Sequence, residues 1–304
     1  MICEAIVNLE EIRQFFAEEI AEVANIQTER LVAAFARVPR EHFLGPGPWK
    51  IANPDALQTP AGHAKSVNYR NTIDDDPRRL YHNIVVAIDP EKQLNNGQPG
   101  SLATWLDALE LQEGDEAVHI GCGVGYYTAI MAETVGPSGH VVGVEVEAHL
   151  AKRANENLSY LGNAEAVYAD GGKYDPAPLD ALFVNAGATF PRAAWLDCLR
   201  PGGRLVFPLT ITQDNNFHSM GFMVKIKRQA NGYSARFLSS VMIFPCLGAR
   251  SDESNQRLRE ALMKGTWGTV QSLRRDKHDA DDTCWLHGED FCLSVSAVQS
   301  ESNT

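Results

Sequence analysis

Apolar residues recur at helical spacing through the first 44 positions, in "LEEIRQFFAEEIAEVA" and "TERLVAAFARVP", with Pro39 ending the second run. Two helices forming a lid or an outer layer are expected there. Residues 45–80 are rich in Pro, Gly, Asn and Asp and keep neither the helical nor the strand period, which predicts a long irregular loop of the kind that carries function. From residue 100 the pattern alternates. "EAVHIG", "GHVVGVEV", "AEAVYAD", "LDALFVNA" and "GGRLVFPL" read as strands, and "YYTAIMAETV", "AHLAKRANENLSYLG" and "RAAWLDCLR" as the helices between them. Strands separated by helices imply right-handed crossovers and a doubly wound α/β sheet, mostly parallel and covered on both faces. After residue 215, two long β-type runs flank Asn231-Gly232, a hairpin signal that predicts an antiparallel pair closing one edge of the sheet. Residues 251–275 predict one more helix, and "TCWLHGEDFCLSV" a last short hairpin. The pattern thus divides the chain into an N-terminal helical and loop region (1–80), a ligand-binding core (81–248) and a C-terminal extension (249–304).

Charge and composition narrow the function. The chain of 304 residues carries 27 Lys+Arg against 39 Asp+Glu, a net charge of −12, without a long basic run, so nucleic acid is not an expected partner. The N-terminal residues are acidic rather than basic and no long apolar stretch occurs. A cytoplasmic protein with no membrane partner is therefore expected. The six cysteines, Cys3, Cys122, Cys198, Cys246, Cys284 and Cys292, include no C-x-x-C pair, so neither a bound metal nor a disulfide framework is expected.

The chemistry centres on "VHIGCGVGYYTAI", where Gly121, Gly123 and Gly125 lie between a strand and a helix. Glycines there let backbone approach a ligand, and the helix N-terminus favours polar or negative groups. A dinucleotide fingerprint would place its third glycine three residues after the second. Here the spacing is tighter and Tyr126 follows, which suits S-adenosylmethionine better than a pyrophosphate. Glu145 ends the next strand, where a carboxylate can accept ribose hydroxyls, and Asp170 ends the third, within reach of an adenine edge. Asn185 follows the fourth and either faces the ligand or caps a turn. Cys122 has no neighbour in sequence that would make it a thiolate.

With these motifs the chain resembles the class I S-adenosylmethionine-dependent methyltransferases, which have a Rossmann-like sheet, and among them the protein-L-isoaspartate O-methyltransferase family. The resemblance runs from "RVPREHFLGP" (37–46) through "GQPGSLATWLDAL", "HIGCGVGYYTAIMA", "GVEVEAHLAKRANENLSYLG", "YADGG" and "NAGATFPRAAWLDCLRPGG" to "RPGGRLVFPL" (200–209). It implies S-adenosyl-L-methionine as cofactor, held by Gly121, Cys122, Gly123, Gly125 and Tyr126, with Glu145 on the ribose, Val146 on the adenine face, Asp170 and Gly171 at the adenine edge, and Asn185 beside them. It also implies that the segment before Pro99 binds the acceptor through a threonine–x–serine motif. This chain has Asn95, Asn96 and Gly97 at those positions, so the serine hydroxyl is absent and isoaspartyl repair is not expected. Asn95, Asn96 and Gln98 become the candidate catalytic residues, the acceptor being a carboxylate on a peptide, a protein or a small molecule. His63, Tyr69, Tyr81 and His82 are further candidate contacts. Two other readings remain open: a non-catalytic module that keeps the cofactor fold, and a nicotinamide-dependent oxidoreductase.

Overall fold

The N-terminal helices form because their apolar stripes have a partner. In the computed structural model, which describes residues 8–53, 67–212 and 219–298, α1 (Leu9–Ala24), α2 (Glu29–Arg37) and α3 (Arg40–Leu44) bury Phe16, Ile20, Leu31, Phe35 and Phe43. Asn8 caps α1, its side-chain oxygen accepting the Glu10 N–H at 3.1 Å. These side chains share one core with Leu106, Tyr126 and Tyr127, so the helices are a permanent outer layer rather than a lid.

The long loop contains more order than its composition predicts. β1 (Lys50–Ala52) pairs antiparallel with β2 (Tyr69–Asn71), and β3 (Ala87–Asp89) pairs with β4 (Leu94–Asn95). Strands of two or three residues are too short to show a period in sequence. Cys3 and His63 lie outside the described residues.

The core then follows in order: α4 (Pro99–Asp107), β5 (Glu116–Ile120), α5 (Tyr126–Val135), β6 (His140–Glu145), α6 (Ala148–Leu158), β7 (Ala164–Tyr168), β8 (Leu179–Val184), α7 (Ala193–Asp197) and β9 (Leu199–Thr212). β7, β6, β5, β8 and β9 are parallel neighbours, and the order reverses at β5, which sits between β6 and β8. Ligands of open α/β sheets bind beyond the strand C-termini at such a switch point. β10 (Ser219–Gln229) and β11 (Gly232–Ile243) form the expected hairpin beside β9. The hairpin does not close the sheet. After α8 (Asp252–Lys264), β12 (Ser272–Arg274) pairs with β11, β14 (Cys292–Ser294) with β12, and β13 (Cys284–His287) forms the outer edge of a ten-stranded sheet. The C-terminal extension is therefore continuous with the core, and β12 takes residues that the sequence pattern merged into a helix.

Alternation along the strands sorts side chains into two layers. Ala117, Ala181, Phe183 and Val206 lie on the face covered by α4 and α5, on which the N-terminal helices pack, while Val118, Ile120, Leu182, Val184, Leu205 and Phe207 face α7, α8 and Trp285. One polar residue interrupts the first layer. His119 is fully buried in β5, stacks on Phe183 at 5.1 Å, and its Nδ1 lies 2.9 Å from Thr128 Oγ1.

Candidate active site

Gly121, Gly123 and Gly125 take φ values of +78°, +58° and +89°, a left-handed run that L side chains resist. The turn brings the N–H groups of Gly121 and Cys122 onto the Val144 carbonyl at 2.8 and 3.2 Å and starts α5 at Gly125. The loop is thereby fastened to the end of β6. A second fastening is side-chain to backbone: Glu145 Oε2 accepts the Gly123 N–H at 2.7 Å, and Oε1 accepts those of Val146 and Glu147 at 2.9 and 3.0 Å. Burial pushes the Glu145 carboxyl above its ordinary pKa, and these three donors oppose the shift.

The neighbouring strand ends complete a shallow cradle. Val146 leaves β6 with 40% of its surface exposed, an unpaired apolar face. Asp170 Oδ1 accepts the Gly172 N–H at 2.9 Å, and its Oδ2 lies 3.7 Å from Lys173 Nζ. Gly171 packs so closely on β5 that a Cβ would stand 2.1 Å from Ile120 Cγ2. Asn185 donates its N–H to the Ile120 carbonyl at 2.8 Å and presents its own carbonyl to Gly121.

The β3–β4 ribbon lies against this cradle, and residues 96–98 lead from it into α4. A Cβ on Gly123 would be 3.1 Å from Ile88 Cδ1; Asp89 pairs with His149 at 2.9 Å, and Lys92 with Glu147. The Asn95 side chain accepts the Gly97 N–H at 3.0 Å, and the Asn96 N–H bonds the Val86 carbonyl at 2.8 Å. The Asn96 side chain is buried, with 7% exposure, and its Nδ2 has no hydrogen-bond partner among the described residues. Gln98 is exposed at the start of α4.

Residues 65–250 match the model of the protein-L-isoaspartate(D-aspartate) O-methyltransferase family. The chain belongs to this family. It is a methyltransferase, and S-adenosyl-L-methionine is the methyl donor of the family. The protein-L-isoaspartate O-methyltransferase of Methanothrix thermoacetophila is 33% identical over 194 residues, covering 62% of this chain and 78% of that one. That of Ignicoccus hospitalis is 37% identical over 155 residues, covering 49% and 70%. Among solved structures, a protein-L-isoaspartate O-methyltransferase superimposes with a TM-score of 0.59 at 22% identity, covering 83% of this chain and 69% of that one. A Plasmodium falciparum protein assigned to the same activity, in complex with S-adenosyl-L-homocysteine, gives 0.55 at 17%, covering 78% and 98%. At these identities the two structures attest the fold.

Placed in the methyltransferase, the residues expected from sequence separate into two groups. Gly121, Gly123, Gly125, Glu145, Val146, Asp170, Gly171 and Asn185 converge on the strand ends, and Asn95, Asn96 and Gln98 belong to the segment beside them. Cys122 and Tyr126 do not present side chains there. The Cys122 thiol points into the sheet, where a Cβ on Gly143 would be 2.9 Å away, and burial pushes its pKa up. Tyr126 is fully buried, edge-on to Phe43 and Tyr127, because α5 is covered on all sides. Of the loop candidates, Tyr69 reaches the site: it donates to the Gln93 carbonyl at 3.3 Å and interacts with Asn95, while burial pushes its pKa up. Tyr81 is buried and bonded to Glu41, and His82 is exposed outside the cradle.

The pattern missed Arg40. It is fully buried, donates to the carbonyls of Leu80, His82 and Ile84 at 2.5, 3.0 and 2.8 Å, and lies 5.9 Å from the ring centres of Phe16 and Tyr126. Its guanidinium thus anchors the backbone that leads into the β3–β4 ribbon. The "VPREHF" string was the available signal, since an arginine directly after a helix-stopping Val-Pro is placed at the interface of two elements.

Proposed function

We propose that the protein transfers the methyl group of S-adenosyl-L-methionine to a carboxylate on a peptide or small molecule, in the space between the glycine loop and residues 95–98. The observation that carries this reading is Asn96, whose buried Nδ2 has no partner among the described residues, in the segment that leaves a ribbon clipped to the cradle by Asp89 and Lys92. A buried unpaired amide costs about 1–3 kcal/mol unless a ligand satisfies it.

Bound in the cradle, the donor supplies an electrophilic sulfonium methyl. The residues that would hold it are the backbone of Gly121, Cys122, Gly123 and Gly125, Glu145 at the ribose, Val146 against the adenine, and Asp170, Gly171 and Asn185 around its edge. A carboxylate acceptor is already ionised at neutral pH, so the transfer would need no base from the protein. What the protein contributes is positioning, through Asn96, with Asn95 shaping the turn and Gln98 at its rim, and Tyr69 covering that side.

Two features argue against isoaspartyl repair in this reading, the missing hydroxyl and the geometry at Gly97. Gly97 has φ +69°, and a Cβ there would stand 2.7 Å from Leu102 Cδ2. The turn favours glycine, so a serine here would be strained at its φ and would require Leu102 to move. The test is calorimetry with S-adenosyl-L-homocysteine, followed by labelled methyl transfer to isoaspartyl, aspartyl and small carboxylate acceptors. Binding with transfer to a carboxylate supports the proposal. Binding without transfer to any acceptor would favour the non-catalytic module, and binding of NAD instead would favour an oxidoreductase.

A further inference from the structure

The outer edge of the sheet carries a second cluster of reactive side chains. His278, Cys284, His287 and Cys292, in "HDADDTCWLHGEDFC", bring one ligand atom each to within 4.8 Å of all the others. We propose that these four residues bind one zinc ion in a closed, structural site.

The local fold explains how the four converge. Residues 284 and 287 would face opposite sides of a regular strand. The register shifts between Cys284 and Leu286, a bulge that turns the two side chains to the same side and leaves Trp285 and Leu286 in the core. Cys292 is the cross-strand partner of His287, and Gly288 makes the tight return, its N–H bonding the Phe291 carbonyl at 2.8 Å. His278 arrives from the loop after β12, its ring 4.8 Å from that of His287.

Neighbouring groups orient these side chains toward one another. His278 Nδ1 meets the Asp276 carbonyl at 2.9 Å and the Asp276 carboxylate at 3.2 Å. Its Nε2 is left to point at Cys284 Sγ, 3.5 Å away. A carboxylate behind a histidine is the usual means of fixing tautomer and ring orientation at zinc. The Cys284 Sγ is held in place by Asp281, accepting its N–H at 3.3 Å and facing its Oδ1 at 3.4 Å. The Nδ1 of His287 is buried with no hydrogen-bond partner among the described residues, an orphan that a bond to metal would satisfy.

Two thiolates and two neutral imidazoles neutralise a divalent ion and give the S₂N₂ set of tetrahedral zinc. With four protein ligands no coordination position stays open for catalysis. The site is also seven strands away from β5 in the sheet order, roughly 30 Å at the spacing of neighbouring strands. All four residues lie beyond the 65–250 match, so the site is a property of this chain's extension. A metal there would tie β13, β14 and the 275–283 loop together at an edge whose strands are otherwise only three or four residues long. The expectation of no metal rested on the missing C-x-x-C pair; here the close pair is C-x-x-H.

The experiment uses reduced, full-length protein treated with chelator and titrated with zinc or, separately, cobalt. One zinc per chain is expected, together with the visible bands of tetrahedral cobalt and a sulfur-to-cobalt charge-transfer band. Both should vanish in Cys284→Ser and Cys292→Ser and persist in Cys198→Ser, whose thiol is buried against α7. Because a cysteine variant can lose metal merely by misfolding, the wild-type cobalt spectrum decides sulfur ligation by itself. Failure of both metals to bind stoichiometrically, a cobalt spectrum without sulfur charge transfer, or binding that survives both variants would overturn the proposal. So would a Cys284–Cys292 disulfide in protein purified with zinc present.

Discussion

The carboxylate of Glu145 accepts the backbone N–H of Gly123 at 2.7 Å, so the end of β6 fixes the shape of the glycine loop. The same carboxylate is the one expected at the ribose, which makes loop geometry and donor affinity depend on a single side chain. Glu145→Ala should weaken S-adenosyl-L-homocysteine binding by at least about tenfold, since hydrogen bonds to a charged group contribute about 1.5–3 kcal/mol each. Isothermal calorimetry reads this directly. An unchanged Kd would remove Glu145 from the donor site.

Gly97→Ser tests whether the family hydroxyl can be put back. The positive φ and the approach to Leu102 should lower stability by about 1–3 kcal/mol, with no isoaspartyl methylation gained. Urea unfolding alongside a labelled isoaspartyl peptide measures both. A stable variant that methylates the peptide would show that the turn relaxes and that only the hydroxyl was missing.

Asn96→Leu separates positioning from folding. An unpartnered buried amide gives the fold nothing, so its replacement should leave the unfolding midpoint unchanged or higher. With the carboxyl acceptor that supports turnover, kcat/KM should fall by about tenfold or more. Asn95→Ala, which removes the bond to the Gly97 N–H, should lower stability and activity together. Full turnover in Asn96→Leu would leave the segment as a turn only.

His119 sets an acid limit on stability. Burial lowers its pKa to about 3, so the folded protein keeps the ring neutral while the unfolded chain protonates near pH 6.5. Its contribution is complete above pH 6.5 and declines as pH falls, levelling off only near pH 3. The slope approaches about 1.4 kcal/mol per pH unit inside that window. Denaturation curves at pH 7 and pH 5 should therefore differ less for His119→Gln than for the wild type. Equal pH dependence in the two proteins would contradict the assignment.

Removing Arg40 should be costly away from the site. Arg40→Met leaves the Leu80, His82 and Ile84 carbonyls without their donor and should cost about 2–4 kcal/mol in urea unfolding. A loss within a few tenths of wild type would mean that water replaces the guanidinium there.

The parts that were legible in sequence are those with a period or a spacing. Five parallel strands, their helices, the 231–232 hairpin and the glycine loop all follow from patterns that the backbone geometry requires. What escaped had no such signature. β12 is three residues long, and Tyr126 reads as a loop neighbour until the N-terminal helices are seen to cover it. Arg40 acts through carbonyl oxygens that no sequence pattern displays. The cluster at Cys284 depends on a bulge that reverses which side a strand residue faces, and the preference for glycine at position 97 depends on a φ angle and a leucine in the next helix.

The chemical class of the acceptor is tested by the fate of the transferred methyl. Protein incubated with methyl-labelled S-adenosyl-L-methionine and a panel of peptides and small carboxylates should yield label that mild base releases as methanol, the behaviour of a carboxylate ester, and Asn96→Leu should reduce that release. Label that is transferred but withstands base would place the methyl on nitrogen, carbon or an ether oxygen and contradict carboxylate methylation.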